Sequence, residues 1–103
     1  MAKVAAQKIA CINNSAFEMW FKVATAGGSS DASDNYHINK TRTIDLAETP
    51  FQEGFAFWVE IHPIGGKIQS SEDQIIYKKN GKIATFAISG TTEAYNISLL
   101  IDD

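Results

Sequence analysis

The sequence is poor in the residues on which small secreted domains and metal sites depend. Its 103 residues include one cysteine, Cys11, and two prolines. A single cysteine excludes an intrachain disulfide and a cluster of zinc-binding thiolates. The start of the chain has no uninterrupted apolar run, and no stretch approaches the roughly 18 apolar residues of a membrane span. We therefore expect no signal peptide, no transmembrane segment and synthesis in the cytoplasm, so that any release would use a non-classical route.

Basic charge is also scarce. Nine lysines and arginines stand against twelve acidic residues, which gives a net charge of −3. Proteins that bind nucleic acid need a concentrated basic surface to displace counterions, whereas these basic residues are scattered. The one local cluster is Lys78, Lys79 and Lys82. Lysines beside a turn are typical of a solvated sheet edge, so the sequence predicts no nucleic-acid partner.

Groups that perform catalysis are few and isolated. The two histidines, His37 and His62, each stand alone on the polar side of an alternating segment. Nucleophilic catalysis needs a hydroxyl or thiol placed against a base that a third group orients, and no segment has that pattern. No glycine-rich loop precedes a helical pattern that could hold a phosphate. The sequence thus predicts a protein that is not an enzyme and that uses no cofactor.

One loop resembles the opening of a calcium site. Asp31, Ser33 and Asn35 occupy alternate positions, with Asp34 beside them. The glycine and the distant glutamate of an EF-hand loop are missing, and Arg42 stands where that glutamate should be. The favoured interpretation is a solvated loop whose short side chains hydrogen-bond to their own backbone, so no metal is predicted and calcium is kept as a minor alternative.

The residues that are abundant favour strands. Isoleucine, threonine and aromatic residues alternate with polar ones, and turn residues recur about every ten positions. A chain of 103 residues has the usual size of one domain. The sequence predicts an all-β fold in which residues 1–103 form one antiparallel β-sandwich of about six to eight strands, with a small β-barrel as the alternative.

The strongest local signal is Asn80-Gly81 between two alternating apolar segments. Both positions tolerate the positive φ of a type I′ turn, which joins neighbouring antiparallel strands. This pattern predicts a hairpin in which Ile75 lies opposite Phe86.

Two aromatic segments, FEMWFKV (17–23) and FAFWVEI (55–61), raise the question of function. Each places apolar side chains on one face and a tryptophan on the opposite, polar face. The candidate ligand or interface residues on this polar face are Trp20, Trp58, Glu18, Lys22, Glu60 and His62. Three explanations are open for the tryptophans: local cover by residues 28–35 or Phe51, contact with a second copy, or a platform for a ligand.

A short β-sandwich without disulfides, with a strand beginning Ile12-Asn13-Asn14-Ser15, resembles in outline the aegerolysin-like proteins and small microbial lectins. The resemblance concerns architecture, and no residue role follows from it. We expect a non-enzymatic interaction module, a homo-oligomer whose aromatic surface contacts itself or recognises a carbohydrate or lipid surface. The alternative is a purely structural protein that self-assembles into filaments, inclusions or shells.

Overall fold

The computed structural model describes residues 4–100, which form ten strands and one short 3-10 turn. The strands are β1 (Val4–Ala6), β2 (Lys8–Ser15), β3 (Met19–Thr25), β4 (Gly28–Ser29), β5 (Thr41–Asp45), β6 (Ala56–Pro63), β7 (Gln69–Ser70), β8 (Ile75–Tyr77), β9 (Ile83–Gly90) and β10 (Tyr95–Leu100). The 3-10 turn is Leu46–Glu48, and the side chain of Asp45 caps it by accepting a hydrogen bond from the Ala47 amide. Residues 4–100 include no helix of the length and apolar character needed to cross a membrane.

The strands are arranged in two sheets. Sheet 1 has the order β1-β8-β6-β3-β4, with β7 paired to β6, and sheet 2 has the order β10-β9-β2-β5. The predicted all-β, sandwich-like class is confirmed, and over residues 4–100 the sheets do not close into a barrel. The prediction of purely antiparallel pairing is wrong at two places, because β1 pairs with β8 and β2 pairs with β9 in parallel.

Alternation of side chains builds one core between the sheets. From sheet 1 the odd-numbered residues of β3 and β6 point inward, and from sheet 2 the odd-numbered residues of β2 do the same. The largest of these inward-pointing side chains are fully buried. The fully buried apolar side chains of these three strands are Met19, Phe21, Val23, Phe57, Val59, Ile61, Ile9 and Cys11. The alternation in 17–23 and 55–61 therefore predicted the inward faces of β3 and β6, although Phe55, just before β6, is 57% exposed.

The Asn80-Gly81 turn does not close a hairpin. It carries the chain from β8 in sheet 1 to β9 in sheet 2. Gly81 has a φ of 74°, but among the described residues Asn39 is the one non-glycine residue with positive φ, so Asn80 lacks the type I′ conformation. Gln7 competes with the local turn for the Gly81 amide, because its side-chain oxygen accepts a hydrogen bond from that amide at 3.1 Å.

The chain crosses at this point because two segments pass side by side from sheet 1 to sheet 2. Residues 4–15 and 75–90 run parallel, first as β1 with β8 and then as β2 with β9. Asn80 donates its side-chain amide to the Ala5 carbonyl and accepts from the Lys82 amide. Tertiary hydrogen bonds from residues 5–7 thus replace the local turn that Asn-Gly favours in isolation.

Candidate recognition surface

The outer side of β3 and β6 brings both tryptophans onto one surface. These strands pair antiparallel, so Trp20 lies opposite His62, Lys22 opposite Glu60, and Ala24 opposite Trp58. Because the neighbouring odd-numbered residues fill the core, these even-numbered side chains point to solvent. We call the surface formed by Trp20, Lys22, Trp58, Glu60 and His62 the aromatic face.

Trp20 is partly covered by a neighbour on the adjacent strand. Its ring stacks on the His62 imidazole with centroids 3.7 Å apart and planes 10° from parallel. The imidazole thereby shields one side of the indole, and both side chains are half-buried. The local cover of Trp20 is therefore a cross-strand partner, and stacking of this kind holds both rings in fixed orientations.

Glu60 links the polar members of the aromatic face. Its Oε1 lies 2.6 Å from His62 Nε2 and 3.6 Å from Lys22 Nζ. The three side chains are 14 to 29% exposed, so the Lys22–Glu60 pair is screened by solvent and contributes at most about 1 kcal/mol to stability. What the network provides is position, because it holds an ammonium and a carboxylate between the levels of the two tryptophans and an imidazole against Trp20.

Trp58 lies at the other end of the aromatic face. It is half-buried, and the residue opposite it, Ala24, is 6% exposed although it points outward. Trp20 and Ala24 are four residues apart on β3, roughly 13 Å along an extended strand. The two tryptophans therefore occupy opposite ends of the aromatic face, with Lys22 and Glu60 between their positions.

Glu18, the sixth candidate, lies outside the aromatic face. It precedes β3, its side chain is 44% exposed, and its Oε1 lies 2.7 Å from His37 Nδ1. Its carbonyl accepts a hydrogen bond from the Ile64 amide. The sequence pattern did not indicate the partnership with His37, because the two residues are far apart along the chain.

The segment 28–35, one of the possible covers for the tryptophans, lies along the edge of β3. Ser30 exchanges two hydrogen bonds with Val23, one through its amide at 2.8 Å and one through its hydroxyl at 3.0 Å. Ser33 does the same with Phe21 at 2.8 and 3.0 Å. These serine hydroxyls satisfy the β3 amides that a neighbouring strand would otherwise bond, which closes this edge to pairing.

The same bonds bear on the calcium hypothesis for Asp31, Ser33, Asp34 and Asn35. Asp34 accepts a hydrogen bond from the Arg42 guanidinium at 2.9 Å, and Ser33 donates its hydroxyl to the Asp34 carbonyl. Within residues 4–100 no three His, Cys, Asp or Glu side chains converge on a point where an ion could sit. Arg42 occupies the position of the calcium-binding glutamate that the sequence lacks. Its guanidinium group pairs with the Asp34 carboxylate and neutralises that charge.

Three surface cavities lie elsewhere. One of about 290 Å³ lies between residues 30–34 and 42–49, and one of about 240 Å³ lies between residues 69–73 and 95–97. The third, of about 330 Å³, is lined mainly by apolar atoms and includes Phe51 and Phe55. Phe51, the other possible cover for the tryptophans, packs against the core residue Phe57 with ring centroids 5.1 Å apart. Neither histidine lines these three cavities.

Comparison of the chain with protein-family models, with curated proteins and with solved structures found no match.

Proposed function

We propose that this protein is a non-catalytic recognition module that binds carbohydrate through the aromatic face. The observation that carries the proposal is the placement of two tryptophans on one surface of paired strands: Trp20 lies opposite His62, Trp58 lies opposite Ala24, and the Lys22–Glu60 pair is between these positions.

The chemistry of a sugar suits this arrangement. The face of a pyranose ring is apolar and stacks on an indole, whereas its hydroxyl groups need hydrogen-bond donors and acceptors. Lys22 supplies a hydrogen-bond donor. Glu60 supplies an acceptor, its Oε2 atom, because both ion pairs described for Glu60 use Oε1. Side chains that are already held by stacking and by the strands lose little conformational entropy when a ligand binds.

The test is a titration of the protein with soluble polysaccharides of differing linkage, followed by tryptophan fluorescence and calorimetry. We expect Trp58→Ala and Trp20→Ala each to weaken binding by about 5- to 150-fold, as loss of a stacked aromatic contact of about 1–3 kcal/mol implies. The matched control is Phe55→Ala, because Phe55 is 57% exposed and lies outside the aromatic face. The proposal fails if no polysaccharide binds, or if the control weakens binding as much as the tryptophan variants do.

The second candidate is that the aromatic face contacts another copy of the chain, as the expectation of a homo-oligomer implies. It is favoured by the internal pairing of Lys22 with Glu60, since paired charges are less costly to cover than single ones. Light scattering of Trp58→Ala against wild type separates the candidates, because only self-contact predicts a smaller particle.

Binding to lipid vesicles in place of polysaccharide would assign the face to a membrane surface, and open-ended growth would favour the structural, self-assembling alternative. Synthesis in the cytoplasm stays a prediction.

A further inference from the structure

The edge of sheet 2 formed by β10 is a second surface that the proposed function does not use. β10 pairs with β9 on one side, and among the described strands it has no partner on the other. Its six residues, YNISLL, carry no charge and include no proline. Natural edge strands are usually protected by charged side chains, proline or bulges. The edge of β3, for comparison, is closed by Ser30 and Ser33.

The hydrogen-bond pattern at the start of β10 fixes which backbone groups are free. Thr91 and Ala94 exchange both of their backbone hydrogen bonds, at 3.0 and 3.2 Å. Because bonded and non-bonded pairs alternate in an antiparallel ladder, Asn96 and Ser98 bond to β9, whereas Tyr95, Ile97 and Leu99 do not. The Gly90 carbonyl, opposite Tyr95, agrees with this assignment because it accepts from the Ala16 amide instead.

The free groups face an open groove. The cavity of about 240 Å³ lies at the Tyr95 end of β10 and is lined by Tyr95, Asn96 and Ile97 and by residues 69–73. Ile97 and Leu99 point toward the core but are only half-buried, in contrast to Tyr95 at 5% exposure. A strand added to this edge would both satisfy the free amides and cover these two side chains.

We propose that the strand added here is β10 of a second copy, paired antiparallel about a two-fold axis at Ile97. In this register Ile97 pairs with its own copy and Tyr95 pairs with Leu99 of the second copy, so every free amide and carbonyl of the three residues is used. The absence of charge on β10 means that no like-charge pair forms along the shared ladder.

The same symmetry keeps the acidic groove residues apart. Glu72 and Asp73 lie beside the Tyr95 end of β10. Antiparallel pairing brings this end next to the Leu99 end of the second copy, so the two carboxylate pairs do not face each other. The interface is isologous and closes on itself, which distinguishes it from assembly into filaments.

The register supplies a test with matched variants. Asn96 and Ser98 are on the solvent side of β10, and each lies opposite the other across the proposed interface as a close, non-bonded pair. The variant N96K/S98K places lysine against lysine at both positions, whereas N96K/S98D places lysine against aspartate. We expect sedimentation equilibrium to show a dimer for wild type, a dimer at least as stable for N96K/S98D, and a shift to monomer for N96K/S98K.

Two results would overturn the proposal. One is a wild-type protein that stays monomeric up to its solubility limit, a measurement that needs no variant to fold. The other is equal dimer stability in the two charge variants, with circular dichroism showing that both are folded, which would assign the dimer to another surface. Neither result depends on whether polysaccharide binds, so this inference and the proposed function fail separately.

Discussion

Asn13 offers the most direct test of how the two sheets are tied together. It is 0% exposed at the end of β2, and its side-chain amide donates to the Phe17 carbonyl at 2.8 Å and to the Tyr36 carbonyl at 3.4 Å. Its side-chain oxygen accepts from the Ser15 amide at 3.1 Å and from the Ser15 hydroxyl. One buried side chain thus joins sheet 2 to the entry of β3 and to the residue that bridges Met19.

The cost of replacing Asn13 by alanine follows from which partners are left without a bond. The Phe17 carbonyl still accepts from the Ser15 hydroxyl, and the Tyr36 carbonyl still accepts from the Met19 amide. The Ser15 amide keeps no described acceptor, and Ser15 is 7% exposed. Two good hydrogen bonds at about 1 kcal/mol each, with about 1–3 kcal/mol for a buried orphan amide, give a loss of about 3–5 kcal/mol in the free energy of unfolding.

Urea unfolding followed by circular dichroism measures this loss, and the matched control is Asn14→Ala. Asn14 is exposed, so its replacement should change the free energy of unfolding by no more than about 0.5 kcal/mol. A loss below about 1 kcal/mol in Asn13→Ala, with an unchanged slope in urea, would show that the side chain does not tie the sheets as argued.

The isosteric change Asn13→Asp separates hydrogen bonding from volume. An ionised carboxylate there would point an oxygen at the carbonyl that now accepts from the Asn13 amide, whereas the protonated acid could still donate to it. Burial and repulsion should therefore raise the pKa of the introduced carboxyl group above the ordinary value of about 3.9. A raised folded-state pKa means that stability is complete below a pH of about 4 and is lost as the pH rises through that pKa. An aspartate variant equally stable at pH of about 4 and about 7 would contradict this account.

Three further predictions concern buried tyrosines and the cysteine. Tyr77 is fully buried and its hydroxyl has no hydrogen-bond partner among residues 4–100, so Tyr77→Phe should raise the free energy of unfolding by about 1 kcal/mol. Tyr36→Phe deletes a 2.9 Å bond to the Cys11 carbonyl and should lower it by about 1 kcal/mol. Thermal unfolding that moves both variants the same way would refute the distinction. Burial raises the pKa of Tyr36 and Tyr95. The stability that these two groups contribute is therefore complete below a pH of about 10 and is lost as the pH rises above it. Tyrosine ionisation measured by absorbance should accordingly coincide with unfolding. Burial also raises the pKa of the Cys11 thiol. A thiol reagent should therefore modify Cys11 of the native protein no faster than the protein unfolds, and should modify it quickly in urea. Fast modification without urea would contradict this prediction.

Alternation predicted the faces of the strands well because it depends on one local rule. Phe21 and Val23 were expected in the core and Trp20 and Lys22 outside it, and the structure agrees. The same rule also placed Trp58 and Trp20 on polar faces, but it could not indicate that the two strands are neighbours. The stack of Trp20 on His62 depends on pairing between residues about forty positions apart, to which no local pattern corresponds.

Pairing was mispredicted where a local preference competed with distant hydrogen bonds. Asn80-Gly81 favours a hairpin, yet Gln7 accepts from the Gly81 amide and also donates to Asp45 at 3.2 Å. These bonds join three segments at the point where the chain leaves sheet 1. A turn preference worth a few tenths of a kcal/mol to about 1 kcal/mol is outweighed when several tertiary bonds and a buried face require the crossing.

The aromatic face and the β10 edge belong to different sheets, which gives the proposed dimer a definite geometry. A two-fold axis between antiparallel strands of one continuous sheet is perpendicular to that sheet, so both copies of sheet 1 lie on the same side of the joined sheet 2. The two aromatic faces would then point in the same direction. A surface that displays repeated sugars could engage both faces at once, and avidity would exceed the affinity of one face without any new contact. Because N96K/S98K leaves the aromatic face unchanged, it should bind a short oligosaccharide as well as wild type does and an immobilised polysaccharide more weakly.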